Sequence, residues 1–267
     1  MVDISVIIPA HNRKTFLRSA VESVLNQNLP RDNYEIVVVK NFVDEEIDGF
    51  LKENRVVDAY TEVQSLGGKI AVAMNKCRGK ILSFLEDDDI WKSDKLMRVL
   101  QSFSDGVVFY HNSFALINSK GEVISYPNHP RKAAIMRSPK KGRTAKDIRR
   151  LLNYSAANNV SSISILRSTL EEHASKLIEI NMLFDNFLFF AGLDVDGIVV
   201  ADTANLTSYR VHDSNTNFLG NWEVYSAKWT KHSEDLIKGN RYLSTLFGQW
   251  DTIVLGLPLC PPQYSWL

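Results

Sequence analysis

Cysteine, excess charge and long apolar runs are all scarce in this chain. Only two of its 267 residues are cysteines, Cys77 and Cys260, which excludes a disulfide framework or a cysteine-rich zinc site. Its 31 Lys and Arg residues balance 31 Asp and Glu residues, so the basic excess of a general nucleic-acid-binding protein is absent. Neither a run of ~18 apolar residues, as a membrane span needs, nor a signal peptide is visible. We therefore expect a cytoplasmic protein without a nucleic-acid partner.

The first hundred residues alternate between strand and helix patterns. Apolar, β-branched runs predict buried strands over residues 4–8, 35–39 and 80–85. Helical spacing of apolar residues predicts helices over residues 16–25, 44–53, 70–77 and 93–103. This alternation is typical of a parallel sheet with helices on both faces, and ligands of such sheets bind at the carboxyl ends of the strands. The candidate ligand segments are therefore residues 9–13, 40–44 and 86–89.

The second half of the chain is less regular. Strand patterns cover residues 107–117, 123–125, 160–166, 197–200 and 206–211. Helical patterns cover residues 145–152, 168–174 and 184–191, and a loop rich in Pro, Lys and Arg covers residues 127–142. Ser93 and Ser168 are the candidate N-caps of the helices that they begin. From residue 221 onward the pattern is helical and aromatic, so we predict an α/β domain over residues 1–215 and a helical C-terminal extension over residues 216–267 that packs on it.

Four consecutive acids, Glu86 to Asp89, follow the third strong strand. Like charges this close repel one another and raise the pKa of some of the carboxyls, and a bound divalent cation removes that penalty. Hard cations such as Mg²⁺ and Mn²⁺ prefer carboxylate oxygens and take substrate phosphates as further ligands. The alternative is a solvated acidic turn that caps the following helix. The place of the acids at the ligand edge of the sheet favours the metal site.

Four short motifs occur in the order found in family 2 glycosyltransferases. Ser5 to Arg13, an apolar strand followed by Pro-Ala-His-Asn, resembles the opening motif of that family, and residues 20–27 resemble the helix behind it. Residues 81–91 resemble the strand and DxD-type motif of the family, and Tyr209-Arg210-Val211-His212 resembles its late Tyr-Arg-x-His motif. Each motif is weak alone, but together they identify the chain as similar to the family over residues 4–212. The resemblance implies a GT-A fold, which is a Rossmann-like, mixed and mostly parallel sheet flanked by helices.

The resemblance also implies roles for individual residues. Those expected along the nucleotide-sugar donor are Pro9, Ala10, His11, Asn12, Arg13, Glu86 and Asp87. Asp88, at the last position of the DxD-type motif, and His212 are expected to hold a divalent cation, Mn²⁺ or Mg²⁺. Glu86 departs from the usual Asp at the first position of the motif, keeping the charge with one more methylene.

Two further segments are candidates for the donor site. Val39 is followed by Lys40-Asn41-Phe42, where the family usually has two Asp residues, so GDP or another nucleotide becomes an alternative to UDP. Asn41 offers a donor and an acceptor to a base edge, whereas Lys40 either pairs with phosphate or faces solvent. In Gly67-Gly68-Lys69 the glycines would let a ligand approach the backbone closely. Lys69 either meets a phosphate at a helix start or is exposed on a plain turn.

Inverting glycosyl transfer needs a base opposite the leaving diphosphate, and Asp185 is the candidate. It is the only acid in the apolar octet 183–190, where burial would raise its pKa and suit it to this role. The family resemblance also implies a base at this place, ahead of the late motif. The alternative role of Asp185 is an N-cap of the following helix. Asp194 and Asp196 are second choices for the base, and the polar segment 158–162 is either a sugar-contacting loop or a turn.

The loop from Arg131 to Arg143 has six basic residues and no acid. Three interpretations stay open: a solvated loop, an anion clamp over the donor, and a patch that faces anionic lipid at the inner face of the membrane. The aromatic C-terminal helices would supply a peripheral membrane contact, a cover for the core or a homo-oligomer interface.

The sequence thus predicts a glycosyltransferase that moves a sugar from a nucleotide-diphosphate donor to an unidentified carbohydrate, lipid or protein acceptor. The expected reaction is a single inverting displacement with a carboxylate base and a divalent metal. One rival is a nucleotidyltransferase, which would need a Gly-rich basic loop where this chain has Pro-Ala-His-Asn. The other is a catalytically inactive sugar- or nucleotide-binding domain, which the missing acids after Val39 leave open.

Overall fold

One mixed β-sheet is the frame of the fold. The structure, a computed structural model, describes residues 2–12, 14–104, 106–126, 132–212, 237 and 239–247. Within these residues the sheet has ten strands. They are β1 (Ile4–Ala10), β2 (Tyr34–Lys40), β3 (Val57–Tyr60), β4 (Ile81–Phe84), β5 (Ile90–Trp91), β6 (Val107–Ile117), β7 (Val123–Ser125), β8 (Ala134–Met136), β9 (Ile163–Leu166) and β10 (Ile198–Arg210).

Helices cover both faces of this sheet. They are α1 (Leu17–Leu25), α2 (Glu45–Glu53), α3 (Leu66–Met74), α4 (Lys95–Ser102), α5 (Ala145–Leu152), α6 (Arg167–Glu171), α7 (Ala174–Leu177) and α8 (Phe184–Leu193). Residues 239–246 are also helical, and short 3-10 turns lie at Arg31–Asn33, Lys140–Gly142 and Val160–Ser162. None of the helices in the described part of the chain has the length and apolar character that a membrane crossing requires.

The strand order is β3-β2-β1-β4-β9-β6-β10-β5, with β7 beside β6 and β8 beside β10. Strands β3, β2, β1 and β4 are parallel, as are β6 and β10, and β9 joins the two groups by antiparallel pairing with β4 and β6. This helix-flanked α/β sheet confirms the predicted fold class. Pro9 lies opposite Val39 and Ala10 opposite Lys40, so β1 and β2 end at the same edge of the sheet.

Two hydrophobic clusters lie on opposite faces of the sheet, because successive strand residues point to opposite sides. In β1, Ile7 joins the cluster that includes residues of α3, α5 and α8, whereas Val6 and Ile8 join the cluster that includes residues of α1, α2 and α4. Every residue of β1 and β2 is buried. Burial on both faces explains why these strands are mostly apolar rather than alternating between apolar and polar residues.

Several strand boundaries differ from the prediction. The predicted strands at 197–200 and 206–211 are one continuous strand, β10. Register shifts after Ala201 and Asn205 accommodate the polar residues between the two apolar runs, so the pairing with β6 continues past them. The predicted loop at 127–142 contains β8, and the strand predicted from residue 160 begins as a 3-10 turn.

The predicted helix caps Ser93 and Ser168 are wrong. The N-caps of α4 and α6 are Asp94 and Leu166, and neither makes a side-chain capping bond. Helix α3 begins four residues earlier than predicted, because the Ser65 hydroxyl accepts the N–H of Gly68 at 3.2 Å and caps it.

The predicted C-terminal extension lies largely outside the described residues. Its described part, residues 239–247, packs on α8 with Leu243 and Phe247 buried. The ring of Phe247 lies 5.9 Å from that of Phe187 and 5.9 Å from that of Phe190. The domain boundary at residue 215 stays a prediction.

Gly67 lets α3 approach protein backbone, not a ligand. Its N–H donates to the carbonyl oxygen of Ile180 at 2.8 Å, and a Cβ here would lie 1.8 Å from the carbonyl oxygen of Leu177. A Cβ on Gly68 would lie 2.4 Å from a methyl carbon of Val63. The expectation that these glycines admit a ligand is therefore wrong, because the chain itself fills the space. On Gly49 in α2, by contrast, a Cβ would meet nothing within 4 Å.

Gly67→Ala should lower the free energy of unfolding by at least about 2 kcal/mol, because the obstructing atoms belong to backbone and cannot move away cheaply. Gly49→Ala, the matched control, should raise it by about 0.5–1 kcal/mol, since alanine has the higher helix propensity and the space is open. Urea unfolding followed by circular dichroism measures both. Equal stability of Gly67→Ala and the wild type would contradict the packing described for α3.

Candidate active site

Two asparagine side chains tie the carboxyl ends of β1 and β2 together. The Asn12 N–H donates to Asn41 Oδ1, and Asn41 Nδ2 donates to Asn12 Oδ1, both at 3.0 Å. Asn12 has a φ of 52°, in the left-handed region that asparagine tolerates better than most residues. Pro9 and Ala10 lie within β1, and Arg13 lies outside the described residues. The predicted nucleotide residues Asn12 and Asn41 are therefore side by side.

His11 and Lys69 meet beside this asparagine pair. Lys69 Nζ lies 2.9 Å from His11 Nδ1 and donates to the carbonyl oxygen of Gln64 at 3.0 Å. Only 2% of Lys69 is exposed, so the alternative of an exposed lysine on a plain turn is wrong. Burial lowers the pKa of its amine, and the negative charge of Asp87 opposes that shift. His11 just after β1, Lys69 of α3 and Asp87 of the acidic segment, all predicted for the donor site, thus lie close together.

The acidic segment after β4 is buried, not solvated. Asp87, Asp88 and Asp89 are 2%, 4% and 0% exposed. Their segment does not cap α4, whose N-cap is Asp94. The alternative of a solvated, helix-capping turn is therefore wrong. Glu86 keeps partial exposure, and its N–H donates to Ser161 Oγ at 3.0 Å.

Arg210 stabilises the buried acids. Its N–H donates to Asp89 Oδ1 at 2.8 Å, and its Nε donates to the carbonyl oxygen of Asp88 at 2.7 Å. The guanidinium carbon lies 4.4 Å from the ring centre of Phe16. Burial and the charge of Asp88 raise the pKa of Asp89 well above its usual range, and Arg210 opposes that shift. Neither Arg210 nor Asp89 had a predicted role, although both lie within motifs that the sequence displays.

The two predicted metal ligands are in contact although 124 positions separate them. His212 Nε2 lies 3.1 Å from Asp88 Oδ2, and the two side chains are 8% and 6% exposed. The ring of Phe16 packs against His212 with centroids 5.1 Å apart. Among the residues that the structure describes, no group of three or more His, Cys, Asp or Glu side chains is arranged to hold a metal ion. The chain therefore brings together one carboxylate and one imidazole at this point.

Asp185 lies in the first turn of α8 and is not its N-cap. The N-cap is Leu183, with a φ of 59°, so the predicted capping alternative is wrong. Asp185 Oδ2 accepts the Asn159 N–H at 3.1 Å, and Oδ1 accepts the N–H and Nδ2 of Asn186 at 2.9 and 3.0 Å. Burial raises the pKa of Asp185 against the effect of these bonds. Residue 185 as a whole is half-buried.

The turn Val160–Ser162 links Asp185 to the acidic segment. Asn159, just before the turn, binds Asp185, and Ser161 Oγ accepts the Glu86 N–H. Phe84 of β4 also packs edge-on against Phe184 of α8, with ring centres 5.6 Å apart. The expectation of a turn at 158–162 is confirmed, but its role as a connection was missed. Its partners lie 26 and 75 positions away, beyond the reach of any local pattern.

Lys40 has neither of the roles predicted for it. Its side chain is 2% exposed, and Nζ pairs with Asp48 Oδ1 at 3.0 Å and Asp58 Oδ2 at 2.9 Å. Nζ also donates to the carbonyl oxygen of Phe42 at 3.1 Å. Burial alone would lower the pKa of Lys40, but the two carboxylates outweigh it and raise the pKa. Lys40 neither faces solvent nor offers its charge to a phosphate, because two acids already enclose it.

Part of the predicted basic loop is docked onto the end of α8. Arg143 is 7% exposed, and its guanidinium donates to the carbonyl oxygens of Gly192, Leu193 and Gly197. These bonds satisfy carbonyls that the end of the helix leaves open. Arg143 is thus structural, and among the described basic residues of the loop the solvated-loop interpretation applies to Lys132, Arg137 and Lys141, which are exposed.

The second-choice bases, Asp194 and Asp196, are loop acids with structural partners. Asp194 pairs with Lys140 Nζ at 2.7 Å and with His173 Nε2 at 3.1 Å. Asp196 Oδ1 accepts the Lys140 N–H at 2.8 Å. Asp194, the C-cap of α8, lies about 14 Å from Asp185 along the helix by its rise per residue, and Asp196 follows in the next loop. Asp185 therefore remains the candidate base.

The order of strands and the buried acids at the sheet edge define a GT-A glycosyltransferase fold. Two solved structures of Staphylococcus aureus TarS, residues 1–349, show the same fold. The complex with UDP aligns with a TM-score of 0.60 at 12% identity, covering 94% of this chain and 72% of TarS. The complex with UDP-GlcNAc also aligns with a TM-score of 0.60 at 12% identity, covering 94% of this chain and 73% of TarS.

The model of glycosyl transferase family 2 matches residues 5–173, more than half of the chain. The chain therefore belongs to glycosyl transferase family 2, which confirms the enzyme class predicted from the motifs. TuaG of Bacillus subtilis strain 168, a putative teichuronic acid biosynthesis glycosyltransferase, is 29% identical over 125 residues, covering 44% of this chain and 49% of TuaG. An uncharacterized glycosyltransferase of Rickettsia bellii is 28% identical over 130 residues, covering 47% of this chain and 19% of that protein. The matched region is thus only a part of these relatives.

Arg210→Lys should lower the free energy of unfolding by about 2 kcal/mol or more. A lysine ammonium cannot keep the stacking on Phe16 and the bonds to the carbonyl oxygens of Asp88, Asn118 and Ser119 together. The matched control is Arg18→Lys, since Arg18 also stacks on a phenylalanine but is half exposed.

Arg18→Lys should change the free energy of unfolding by less than about 0.5 kcal/mol, because exposed ion pairs contribute little. Guanidinium chloride titrations of the three proteins provide the comparison. If Arg210→Lys were as stable as Arg18→Lys, the compensating role of Arg210 would be wrong.

Proposed function

We propose that this chain transfers a sugar from a nucleotide-diphosphate donor to an acceptor hydroxyl, with inversion at the anomeric carbon. The observation that carries the proposal is the 3.1 Å contact between His212 Nε2 and Asp88 Oδ2. It joins the late motif to the acidic motif at the edge of the sheet where ligands of such folds bind. Lys69 lies at the same edge with His11 and offers a positive charge to the donor diphosphate.

UDP is the nucleotide that we propose for the donor. The TarS structures, which share the fold, contain UDP and UDP-GlcNAc. On this chain Asn41 supplies an amide group where the family usually has an acid, and it is paired with Asn12 of the opening motif. The two hydrogen bonds that join Asn12 to Asn41 do not use all the hydrogens and lone pairs of the two side-chain amides. These remaining groups suit the imide edge of uracil, which has both donor and acceptor atoms.

Asp88 and His212 are the residues that would hold a divalent cation, Mn²⁺ or Mg²⁺. A carboxylate oxygen and an imidazole nitrogen form a donor set that fits such a cation, which commonly completes its shell with water and substrate phosphates. When bound, the cation would neutralise negative charge on the leaving diphosphate. The neighbouring Asp89 supports the arrangement through its bond to Arg210.

Asp185 is the proposed general base. The acceptor oxygen bonds to the anomeric carbon while the bond from that carbon to the diphosphate oxygen breaks, and the acceptor proton passes to the Asp185 carboxylate. Burial raises the pKa of Asp185, which makes it a stronger base than a solvated aspartate. The N–H groups of Asn159 and Asn186 hold the carboxylate in one orientation.

Three features stay predictions from the sequence alone: a cytoplasmic location, a membrane contact of the basic loop, and a homo-oligomer. Donor hydrolysis, with water as the acceptor, measures the proposed activity without knowledge of the natural acceptor. It also separates an enzyme from a catalytically inactive binding domain.

Asp88→Ala should remove the cation-dependent part of donor binding. For the wild type, UDP with Mn²⁺ should raise the Tm more than UDP alone, and Asp88→Ala should lose that additional shift. Hydrolysis of UDP-GlcNAc by Asp88→Ala should fall by more than about 100-fold, since even groups that only support a metal ligand contribute up to that amount. The matched control is Asp94→Ala, which removes an exposed acid without a capping bond.

GDP, CDP and dTDP with Mn²⁺ complete the thermal-shift panel. A larger shift with one of these nucleotides than with UDP would overturn the uridine proposal and leave the family membership intact. Equal hydrolysis by Asp88→Ala and the wild type would overturn the metal proposal, whereas Asp94→Ala should match the wild type throughout.

Asp185→Asn should bind UDP like the wild type but lose at least about 100-fold in kcat, the usual contribution of a general base. Only the ionised carboxylate of Asp185 accepts a proton. Wild-type kcat/KM should therefore be maximal at neutral pH and fall as the pH drops through the pKa of Asp185. Because that pKa is raised, the acid limb should lie above the usual aspartate value of 3.8.

The pH profile of the residual activity of Asp185→Asn should lack this acid limb. The control variant, Asp196→Asn, should show the same acid limb as the wild type. Stopped assays across a pH series, with UDP binding measured by calorimetry, give both readouts. A variant that binds UDP and keeps wild-type turnover would exclude Asp185 as the base.

A further inference from the structure

Lys95, the first residue of α4, is fully buried and forms no ion pair with any described residue. Its Nζ donates to Asn112 Oδ1 and to the carbonyl oxygen of Ser161, the latter at 3.3 Å, and lies 4.9 Å from the ring centre of Trp91. Burial holds the pKa of the amine well below its usual range. A methionine of similar length would avoid the cost of burying an amine, so stability alone does not account for a lysine here.

The carbonyl oxygen of Ser161 accepts two further hydrogen bonds. Trp91 Nε1 donates to it at 2.8 Å and Thr207 Oγ1 donates to it at 3.1 Å. Trp91 and Thr207 lie opposite each other in the β5–β10 pairing, and Asn112 Nδ2 donates to Thr207 Oγ1 at 3.0 Å. The three donors come from α4, β5 and β10, so this one oxygen joins three elements to the turn Val160–Ser162.

The same turn touches both parts of the proposed reaction site. The N–H of Asn159 donates to Asp185 Oδ2 at 3.1 Å, and Ser161 Oγ accepts the N–H of Glu86 at 3.0 Å. Asn159 Oδ1 accepts the N–H of Ser161 at 2.9 Å, which couples the two ends of the turn. A shift of Ser161 would therefore disturb the support of Asp185 and that of the acidic segment together.

We propose that Lys95 is a positioning residue, which with Trp91 and Thr207 fixes the Ser161 carbonyl and thereby sets where Asp185 stands relative to the donor-binding acids. The inference rests on the proposed function, in which Asp185 is the base. A misplacement of about 1 Å between reacting groups costs on the order of 100-fold in rate. The turn has no proposed contact with the nucleotide and reaches the donor-binding acids only through the Glu86 N–H, so its displacement should lower kcat by more than it weakens nucleotide binding.

Two variants test this role. Lys95→Met removes the amine and keeps the length of the side chain, and Thr207→Val removes a second donor with little change in shape. Both should lower kcat for donor hydrolysis by about tenfold or more, with a smaller rise in the Kd for UDP. Both should also speed hydrogen exchange at the amides of Asn159 and Glu86, whose bonds depend on the turn. Should Lys95→Met fail to fold, Thr207→Val supplies both readouts.

The matched control is Tyr34→Phe. It removes another buried donor to a backbone carbonyl, that of Val24 at 2.9 Å, without touching the turn. This control should leave kcat and the exchange rates of Asn159 and Glu86 at their wild-type values.

A purely structural role would lower the Tm of Lys95→Met while the folded variant kept wild-type kcat, and that result would overturn the proposal. Unchanged exchange at Asn159 and Glu86 in both variants would overturn it as well. If the wild type neither bound UDP nor hydrolysed the donor, the proposed function would fail. Faster exchange in the variants would then still support Lys95 as the residue that holds the turn.

Discussion

Burial of adjacent carboxylates at one edge of the sheet is the constraint on which the rest of this structure depends. Asp88 and Asp89 are neighbours with almost no solvent access, and the repulsion between them has to be compensated. Arg210 supplies a main-chain N–H and a guanidinium, and His212 lies against Asp88. Since this compensation comes from the end of β10 and the residues just after it, burial of the acids after β4 depends on the register of that strand.

Three buried lysines show how the surroundings decide what one side chain does. Lys40 lies between two carboxylates that raise its pKa, so it is a fixed cation. Lys69 lies beside His11, and burial lowers the pKa of its amine while the charge of Asp87 opposes the shift. A bound anion at this point would stabilise the charged form of Lys69. Lys95 has only neutral acceptors and an aromatic ring, and burial lowers its pKa furthest from the usual range. It acts as a hydrogen-bond donor within the core.

Much of the fold could be predicted because β1 and β2 are buried on both faces and are therefore mostly apolar rather than alternating. The meeting of Asp88 and His212 was also predicted, but only through motif resemblance. The partners of Lys40 and Lys95 could not be predicted, since they lie on other elements and depend on sheet register. The start of α3 was missed because Gly67 and Gly68 weaken a helical pattern, although close packing requires Gly67.

The ion pairs of Lys40 also restrict the order in which substitutions can accumulate. The family resemblance leads to the expectation of an acid at this position. An aspartate introduced while Asp48 and Asp58 remain would crowd three carboxylates around the space that one ammonium now occupies. Exchange of Lys40 for an acid therefore has to follow neutralisation of its two partners. At this edge of the sheet, a single substitution to the common family residue is therefore incompatible with the charges that surround position 40.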